Sequence, residues 1–232
     1  VIINMQEIYI YIYHIGICNY KTTLTAMQEY TYRRSLYDSD NIWLIEHDPV
    51  FTQGGNIETL IKLDIPIIKS DRGGKITYHG PGQLIFYILF DLKRSRLGVR
   101  ELVTIIEKST ILTLATHGIF SYTKESAPGV YVLIDGYEAK ISSIGIRIKR
   151  GCSFHGLAYN VDMDITPFEI INPCGYFGMQ MTQLKDFMHY YSITIKIEYN
   201  RWIKCFYHKI SSNYSFLIIE KKGLPEILTQ AF

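Results

Sequence analysis

This 232-residue chain predicts an α/β fold of the α+β kind, a mixed sheet with flanking helices, and three observations carry that reading. Runs of β-branched and aromatic residues recur at Ile8–Tyr13, Asn41–Glu46 and Leu84–Phe90, which suits pleated strands. Between them lie segments whose apolar residues repeat at helical spacing. Asp135-Gly136 separates two further strand-like runs, a strong short-range hairpin signal. With no internal repeat, linker or low-complexity segment, residues 1–232 are expected to form a single domain.

Taken in order, Ile8–Ile17 alternates with tyrosines, follows Glu7 and lacks a basic leader, so it reads as a strand and not a signal peptide. Thr22 or Thr23 is expected to cap a helix running to about Tyr37, with Leu24, Met27 and Tyr30 on one stripe. Asn41–Glu46 is a buried strand ended by His47-Asp48-Pro49. Val50–Asn56 is polar and contains glycine, which predicts a loop at the surface or beside a ligand. Gly98 precedes a helix over Val99–His117, with Gly118 as its stop. The hairpin arms are Gly129–Ile134 and Ala139–Ile148, followed by a strand over Cys152–Val161. A loop holds INPCGYFGM, and beyond Thr182 helices are expected.

The composition bounds function as well as fold. A hydrophobic fraction of 47% and a charged fraction of 20% describe a globular protein, and a net charge of +2 points to neither nucleic acid nor a membrane surface as partner. No apolar run approaches the ~20 residues of a spanning helix. The four cysteines, Cys18, Cys152, Cys174 and Cys205, are widely spaced, so a disulfide framework is not expected and a cytoplasmic location is. Tyrosine, at 19 residues, and isoleucine are abundant, a compositional bias rather than a functional signal.

Chemistry concentrates around Ser70–Leu92, SDRGGKITYHGPGQLIFYILFDL, where glycine-rich backbone meets a buried strand and lets a ligand approach main-chain N–H groups. Gly-Pro-Gly at 80–82 is also ordinary turn chemistry. Cys174, between Pro173 and Gly175, is either a small packing residue or a loop thiol. As a nucleophile it needs help, since a free thiol is only about 3% thiolate at pH 7. Lys140, His79 and His155 are the candidate helpers. Regular alternation puts Lys140 and Ser142 on the face of Ile144, Ile146 and Ile148, pointing inward, unless a bulge at Gly145 breaks the register. Lys140 could instead snorkel to water, and the two histidines could be hydrogen-bonded core residues. Cys152-x-x-His155 with Cys174 and His79 has no specific metal spacing, and no metal is expected.

Read together, RGGKITYHGPGQ (Arg72–Gln83), AKISSIGIRI (Ala139–Ile148), and RGCSFHGLAYNVDMD with INPCGYFGM (Arg150–Met179) resemble the octanoyltransferase family, also called lipoate-protein ligase B. EHDPVFTQGG matches too, and the resemblance runs from about Ile15 to about Gln183. It implies a biotin/lipoate protein ligase-like catalytic domain that moves an octanoyl group from octanoyl-acyl carrier protein to a lysine of lipoyl domains, those of 2-oxoacid dehydrogenase complexes and the glycine cleavage H protein. By the same resemblance Cys174 carries the acyl thioester and Lys140 lowers its pKa and handles the proton. The acyl substrate is lined by Arg72, Gly73, Gly74, Lys75, Ile76, Thr77, Tyr78 and His79, by Ser143, Ile144 and Gly145, and by Gly156, Leu157 and Ala158. Backbone N–H groups near Gly73–Gly82 or Gly175 are candidate oxyanion donors. No cofactor is implied: the donor is already a thioester, so neither ATP nor a metal is expected, and no G-x-x-x-x-G-K-[ST] loop is present. Three other readings share parts of this pattern: an ATP-dependent lipoate or biotin ligase, a non-catalytic acyl- or lipoyl-domain-binding protein, and a thiol hydrolase using Cys174 and His79.

Overall fold

The computed structural model describes residues 8–55, 64–171, 178–188, 193–212 and 215–229. Its framework is an eight-stranded mixed sheet with a three-stranded sheet beside it. The elements in chain order are β1 (Ile8–Cys18), α1 (Tyr20–Arg33), β2 (Asp40–His47), β3 (Val50–Gly54), β4 (Ile67–Ser70), β5 (Ile76–His79) and β6 (Gln83–Leu89). Next come α2 (Leu92–Ser95), α3 (Val99–Ala115), β7 (Gly129–Ile134), β8 (Tyr137–Lys149), β9 (Cys152–Asn160), β10 (Gln180–Met181), α4 (Ile195–Ser211), β11 (Phe216–Lys221) and α5 (Glu226–Thr229). The large sheet runs β10-β8-β9-β6-β2-β1-β11 with β7 paired to β8, and the small one runs β4-β3-β5.

Local chemistry explains most boundaries. Helix α1 starts earlier than Thr22 because Asn19 is its cap, the Asn19 side chain accepting from the N–H groups of Lys21 and Thr22 at 3.0 and 3.2 Å. It ends at Arg33 rather than Tyr37, since Arg34 turns its backbone to an extended conformation and donates to Leu89 O and to the buried Asp40 carboxylate. Val50–Gly54 is not a surface loop. It is a fully buried strand pairing with both β4 and β5, because Val50, Phe51 and Thr52 favour the pleat more than the following glycines oppose it. The Asp135-Gly136 turn forms as the dipeptide suggests, with φ of 50° and 82°, the left-handed pair of a type I′ hairpin.

Strand β8 departs from simple alternation. Its pairing with β7 shifts between Val130 and Tyr131, opposite residues 140–142, whereas its ladder to β9 runs unbroken through Gly145. Ala139 and Ile141 therefore share the apolar core that takes Ile144, Ile146 and Ile148 against it. Lys140 faces the other side, not the isoleucine side that unbroken alternation gives. The bulge lies beside the lysine and not at Gly145. After Thr182 the chain adds, besides α4 and α5, a strand, β11, parallel to β1 at the sheet edge.

The two faces of the large sheet are covered differently. On one, α3 and α4 bury Leu102, Ile106, Trp202 and Phe206 against Ile42, Leu44, Phe86 and Ile88; on the other, α1 and α5 bury Leu24, Met27 and Leu228 against Trp43, Ile45 and Tyr87. No helix among the described residues is long and apolar enough to cross a membrane. Trp202 is the centre of the first layer, 4.1 Å from Phe86 and 5.0 Å from Phe206 between ring centroids, with its indole N–H donating to Thr110 at 3.0 Å. Trp202→Ala is expected to destabilise the fold by about 3–5 kcal/mol. Chemical denaturation measures this, with Trp202→Phe, which keeps the stacking and loses only the indole N–H donated to Thr110, whose hydroxyl still donates to Ile106 O at 3.0 Å, losing less.

Candidate active site

A cavity of about 510 Å³, counting its open mouth, lies between β8, β9 and β6 of the large sheet and the β4–β5 segment of the small one. Its outer wall is backbone and short side chains: Gly73, Gly74, Gly145, Gly156 and Ala158, with Ser143, Ile144 and Leu157. Its inner wall is Tyr20, Thr77, His79, Ile85 and Tyr87, all buried, while Gly73, Gly74 and Lys75 are exposed at the mouth. Arg72 completes the lining, which holds no carboxylate among the described residues. An apolar chain with a polar head fits such a wall.

Of the residues that the motif resemblance assigns to the acyl substrate, Ile76 and Tyr78 do not reach the cavity. Alternation along β5 sends Thr77 and His79 to one face and Ile76 and Tyr78 to the other, where the latter pack with Phe51, Met163 and Phe168. Tyr20, Ile85 and Tyr87 join the lining unforeseen. Ile85 and Tyr87 alternate along β6, but both faces of that strand are buried, so its sequence is a continuous apolar run that conceals which residues face the cavity.

The Arg72–Lys75 loop reaches the cavity because two glycines let it. A side chain on Gly54 would meet the carbonyl oxygens of Gly74 and Arg72 at 2.4 and 2.6 Å, and one on Gly145 would meet Gly73 O at 3.0 Å. Arg72 ties the loop down by donating to Thr52 O at 2.6 Å and to Thr52 Oγ1 at 3.0 Å. His155 holds it from the other sheet: its Nε2 is 2.8 Å from Asp71 Oδ1. A carboxylate only accepts, so the ring donates. Burial drives the His155 pKa down, against the pull of Asp71, and the neutral ring protonated on Nε2 satisfies both observations. A left-handed φ of 59° in mid-strand aims this side chain at the loop.

His79 of the lining and His47 behind it are equally well partnered. His47 donates from Nδ1 to Cys18 O at 2.8 Å and accepts from the Tyr87 hydroxyl at 2.6 Å. Burial lowers its pKa to about 4. His79 donates from Nδ1 to Gln83 Oε1 at 2.7 Å, and its Nε2 lies 3.1 Å from Thr52 Oγ1. Burial, with His47 and Arg72 nearby, holds its pKa well below the ordinary value. Gln83 passes the chain on to Asn160 Oδ1 at 2.8 Å, and Asn160 donates to Thr182 O at 2.9 Å. His79 and His155 are thus both engaged by protein partners, and no group of three or more metal ligands occurs among the described residues. The Gly82 N–H is engaged as well, donating to Glu46 Oε2 at 2.7 Å.

Lys140 is 1% exposed. Its Nζ lies 5.2 Å from the centroid of the Tyr131 ring. It sits three residues before the cavity residue Ser143 on β8, roughly 10 Å along the strand. On its other side Met181 of β10 is its register partner, and Thr182 N donates to Lys140 O at 3.1 Å. Residues 172–177, which contain Cys174 and Gly175, lie outside the described residues. Cys18 and Cys152 are buried, with burial raising both thiol pKa values.

The profile of the lipoyl protein ligase A/B catalytic domain matches residues 19–207. The chain is 54% identical over 184 residues to the octanoyltransferase of Shewanella frigidimarina, covering 78% of this chain and 83% of that protein. This chain belongs to the octanoyltransferase family. It is accordingly an acyltransferase, and protein lipoylation is the process its family serves. In fold it is similar to the bipartite lipoate protein ligase of Thermoplasma acidophilum, with a TM-score of 0.74 at 16% identity over 97% of this chain and 91% of that one. The biotin protein ligase of Aquifex aeolicus is more distant, with a TM-score of 0.53 at 12% identity over 87% and 68%.

Two predictions come from this geometry. A side chain on Gly129, whose φ is 136°, would meet Ser142 O at 2.3 Å and Lys140 Cε at 2.7 Å, so Gly129→Ala is expected to displace the lysine and lower acyl transfer on the order of 10–100-fold. Steady-state kinetics on the folded variant measure this. Because the folded-state pKa of His47 is depressed from 6.5 to about 4, the unfolded chain binds more protons between those values. Stability is then complete above about pH 6.5 and falls as the pH drops toward 4, by roughly 3 kcal/mol from His47 alone. Denaturation midpoints across pH 4–7 test the slope, and a flat profile would exclude a buried neutral His47.

Proposed function

We propose that this acyltransferase takes an octanoyl group from octanoyl-acyl carrier protein and delivers it to the lysine of a lipoyl domain, through a thioester on Cys174. The observation that supports this most directly is a buried amine, Lys140, beside the strand β10 that follows the Cys174 segment. A largely apolar cavity, with no carboxylate among the described residues of its lining, opens farther along the same strand.

In the mechanism proposed, the Lys140 amine takes the Cys174 proton and the resulting ammonium holds the thiolate beside it, an attraction of about 4 kcal/mol at ~4 Å and an effective dielectric near 20. The thiolate attacks the carrier thioester, the carbon–sulfur bond to the carrier breaks, and the departing thiolate takes the proton from Lys140. The acceptor lysine, as a neutral amine, then attacks the acyl-cysteine. Lys140 accepts its proton, the amide forms, and Cys174 leaves as the thiolate, which restores the starting pair. The octanoyl tail lies against Ile85, Ile144, Leu157 and Ala158. The donor supplies the activation, so the proposal includes neither ATP nor metal. Acceptors are apo lipoyl domains of 2-oxoacid dehydrogenase complexes and the glycine cleavage H protein.

Intact-mass measurement after mixing with octanoyl-acyl carrier protein, without ATP, tests this. The native chain is expected to gain one octanoyl group that hydroxylamine removes and that apo lipoyl domain discharges; Cys174→Ala gains none. Transfer that needs ATP would replace this reading with a ligase, release of free octanoate with a hydrolase, and undiminished transfer by Cys174→Ala would remove Cys174 from its role.

A further inference from the structure

Lys140 faces the cavity side of β8, and α3 packs on the other side with Ala139 and Ile141. Gly129, the first residue of β7, stands between the lysine and that helix and has no side chain. From one side Glu107 of α3 holds it, Oε1 accepting from the Gly129 N–H at 3.1 Å. From the other the lysine packs on it: a Cβ built on Gly129 would lie 2.7 Å from Lys140 Cε and 3.3 Å from Nζ. A carboxylate and a buried amine thus share one glycine.

Glu107 is half-buried. A helical carboxylate is commonly balanced by a base three or four positions away, but here those positions are Val103, Thr104, Thr110 and Ile111. The cation that acts on it is Lys140: half-burial raises the Glu107 carboxyl pKa, while the Gly129 N–H and then Lys140 pull it back. The other described groups around the lysine are less able to balance its charge. Tyr131 of β7 presents its ring, 5.2 Å away, and its hydroxyl donates to Ala127 O at 2.8 Å. Lys124, 5.1 Å from the same ring, is itself a cation and is tied to Glu138, which also accepts from the Tyr122 hydroxyl at 2.7 Å. Strand β10 brings Met181 and Thr182, which carry no charge. The cavity lining adds the cations Arg72 and Lys75 but, among the described residues, no carboxylate.

The need for a counter-charge differs between the two halves of the reaction proposed above. While Cys174 is a thiolate, the Lys140 ammonium has a partner. Once Cys174 is acylated, that partner is gone. When the acceptor amine then attacks the acyl carbon, its proton passes to Lys140 Nζ, so a new ammonium forms in a buried site before the carbon–sulfur bond has broken and the thiolate has returned. A buried charge left without a counter-charge is costly. We propose that Glu107 is the counter-charge of Lys140, a positioning residue that acts across Gly129 and stabilises the ammonium during this discharge step. No bond to Glu107 forms or breaks. The inference rests on the role given to Lys140 in the proposed function.

The test compares the native chain with Glu107→Gln, which keeps an oxygen for the Gly129 N–H and removes the charge. Thermal melts check that the folds match. Side-chain amine NMR of lysine-labelled protein, with the Lys140 signal assigned by its loss in Lys140→Met, follows the amine through its titration with no substrate present. In Glu107→Gln the Lys140 midpoint is expected to fall by about 0.5–1 pH unit, as for a half-buried charge acting across one residue. In single turnovers of isolated octanoyl-enzyme with apo lipoyl domain, the plateau rate falls about 3- to 10-fold and its acid limb moves to lower pH along with the NMR midpoint. In steady state the KM for lipoyl domain is unchanged, because Glu107 touches neither substrate. A midpoint that stays in place overturns the proposal, as does slower discharge with an unmoved acid limb, the sign of a structural effect alone. A midpoint that moves while discharge keeps its native rate and pH profile leaves the counter-charge standing and removes Lys140 as the proton acceptor, which separates failure of the functional reading from failure of this one.

Discussion

One run of hydrogen bonds, buried along most of its length, joins the loop at the cavity mouth to the strand of Lys140. Arg72 donates to Thr52, Thr52 pairs with His79, His79 with Gln83, Gln83 with Asn160, and Asn160 with the carbonyl of Thr182, whose own N–H is held by Lys140 O. The donors all point the same way, from a guanidinium at the cavity mouth to a backbone carbonyl beside the buried lysine. Thr52, His79, Gln83 and Asn160 are each under 7% exposed. Dipoles aligned head to tail in such a setting reinforce one another, and any member removed would leave its neighbour unsatisfied. The run passes from the small sheet to the large one and on to β10, so it fixes the loop, the floor and the lysine strand relative to one another.

Two buried histidines, His79 in the lining of the cavity and His47 behind it, share one protonation state. His47 and His79 are neutral because they are buried, and because each has one nitrogen donating to an oxygen and the other beside a hydroxyl. Tyr20 and Tyr87 present rings to the cavity while their hydroxyls are engaged below it, with Ser70 at 2.7 Å and His47 at 2.6 Å. The floor is thus polar in composition and largely apolar toward its contents. Glu107 lies near Lys140, its carboxyl pKa raised by half-burial against the opposing influence of the Gly129 N–H and Lys140.

Much of this was legible in the order of residues. Strands Asn41–Glu46 and Leu84–Phe90, the helix after Gly98 and the Asp135-Gly136 hairpin follow from local preference and formed within a few residues of their expected ends. The glycine pair at 73–74 marked where backbone can come close to a ligand, the motif resemblance added Gly145 and Gly156, and the structure places all four on one cavity. Less legible were features set by pairing. Val50–Gly54 is a strand because β4 and β5 flank it, and Lys140 changed faces because one extra residue enters the ladder opposite Val130 and Tyr131. The register shift leaves no mark in local composition, and the pleat preference of Val50, Phe51 and Thr52 decides the strand only once its neighbours are in place.

By itself, the sequence determined most of the inventory: the majority of the strands and helices, a glycine-rich loop able to approach a ligand closely, and motifs specific enough to identify the family. Tertiary structure alone decided the partnerships. Thr52 meets His79 across 27 positions, Gln83 meets Asn160 across 77, and Asp71 meets His155 across 84. Side-chain direction in a strand changes with a single residue of register, and the tautomer of a histidine is set by whichever oxygen lies opposite it. Both are settled only when distant segments pack, and no local preference in the chain encodes them.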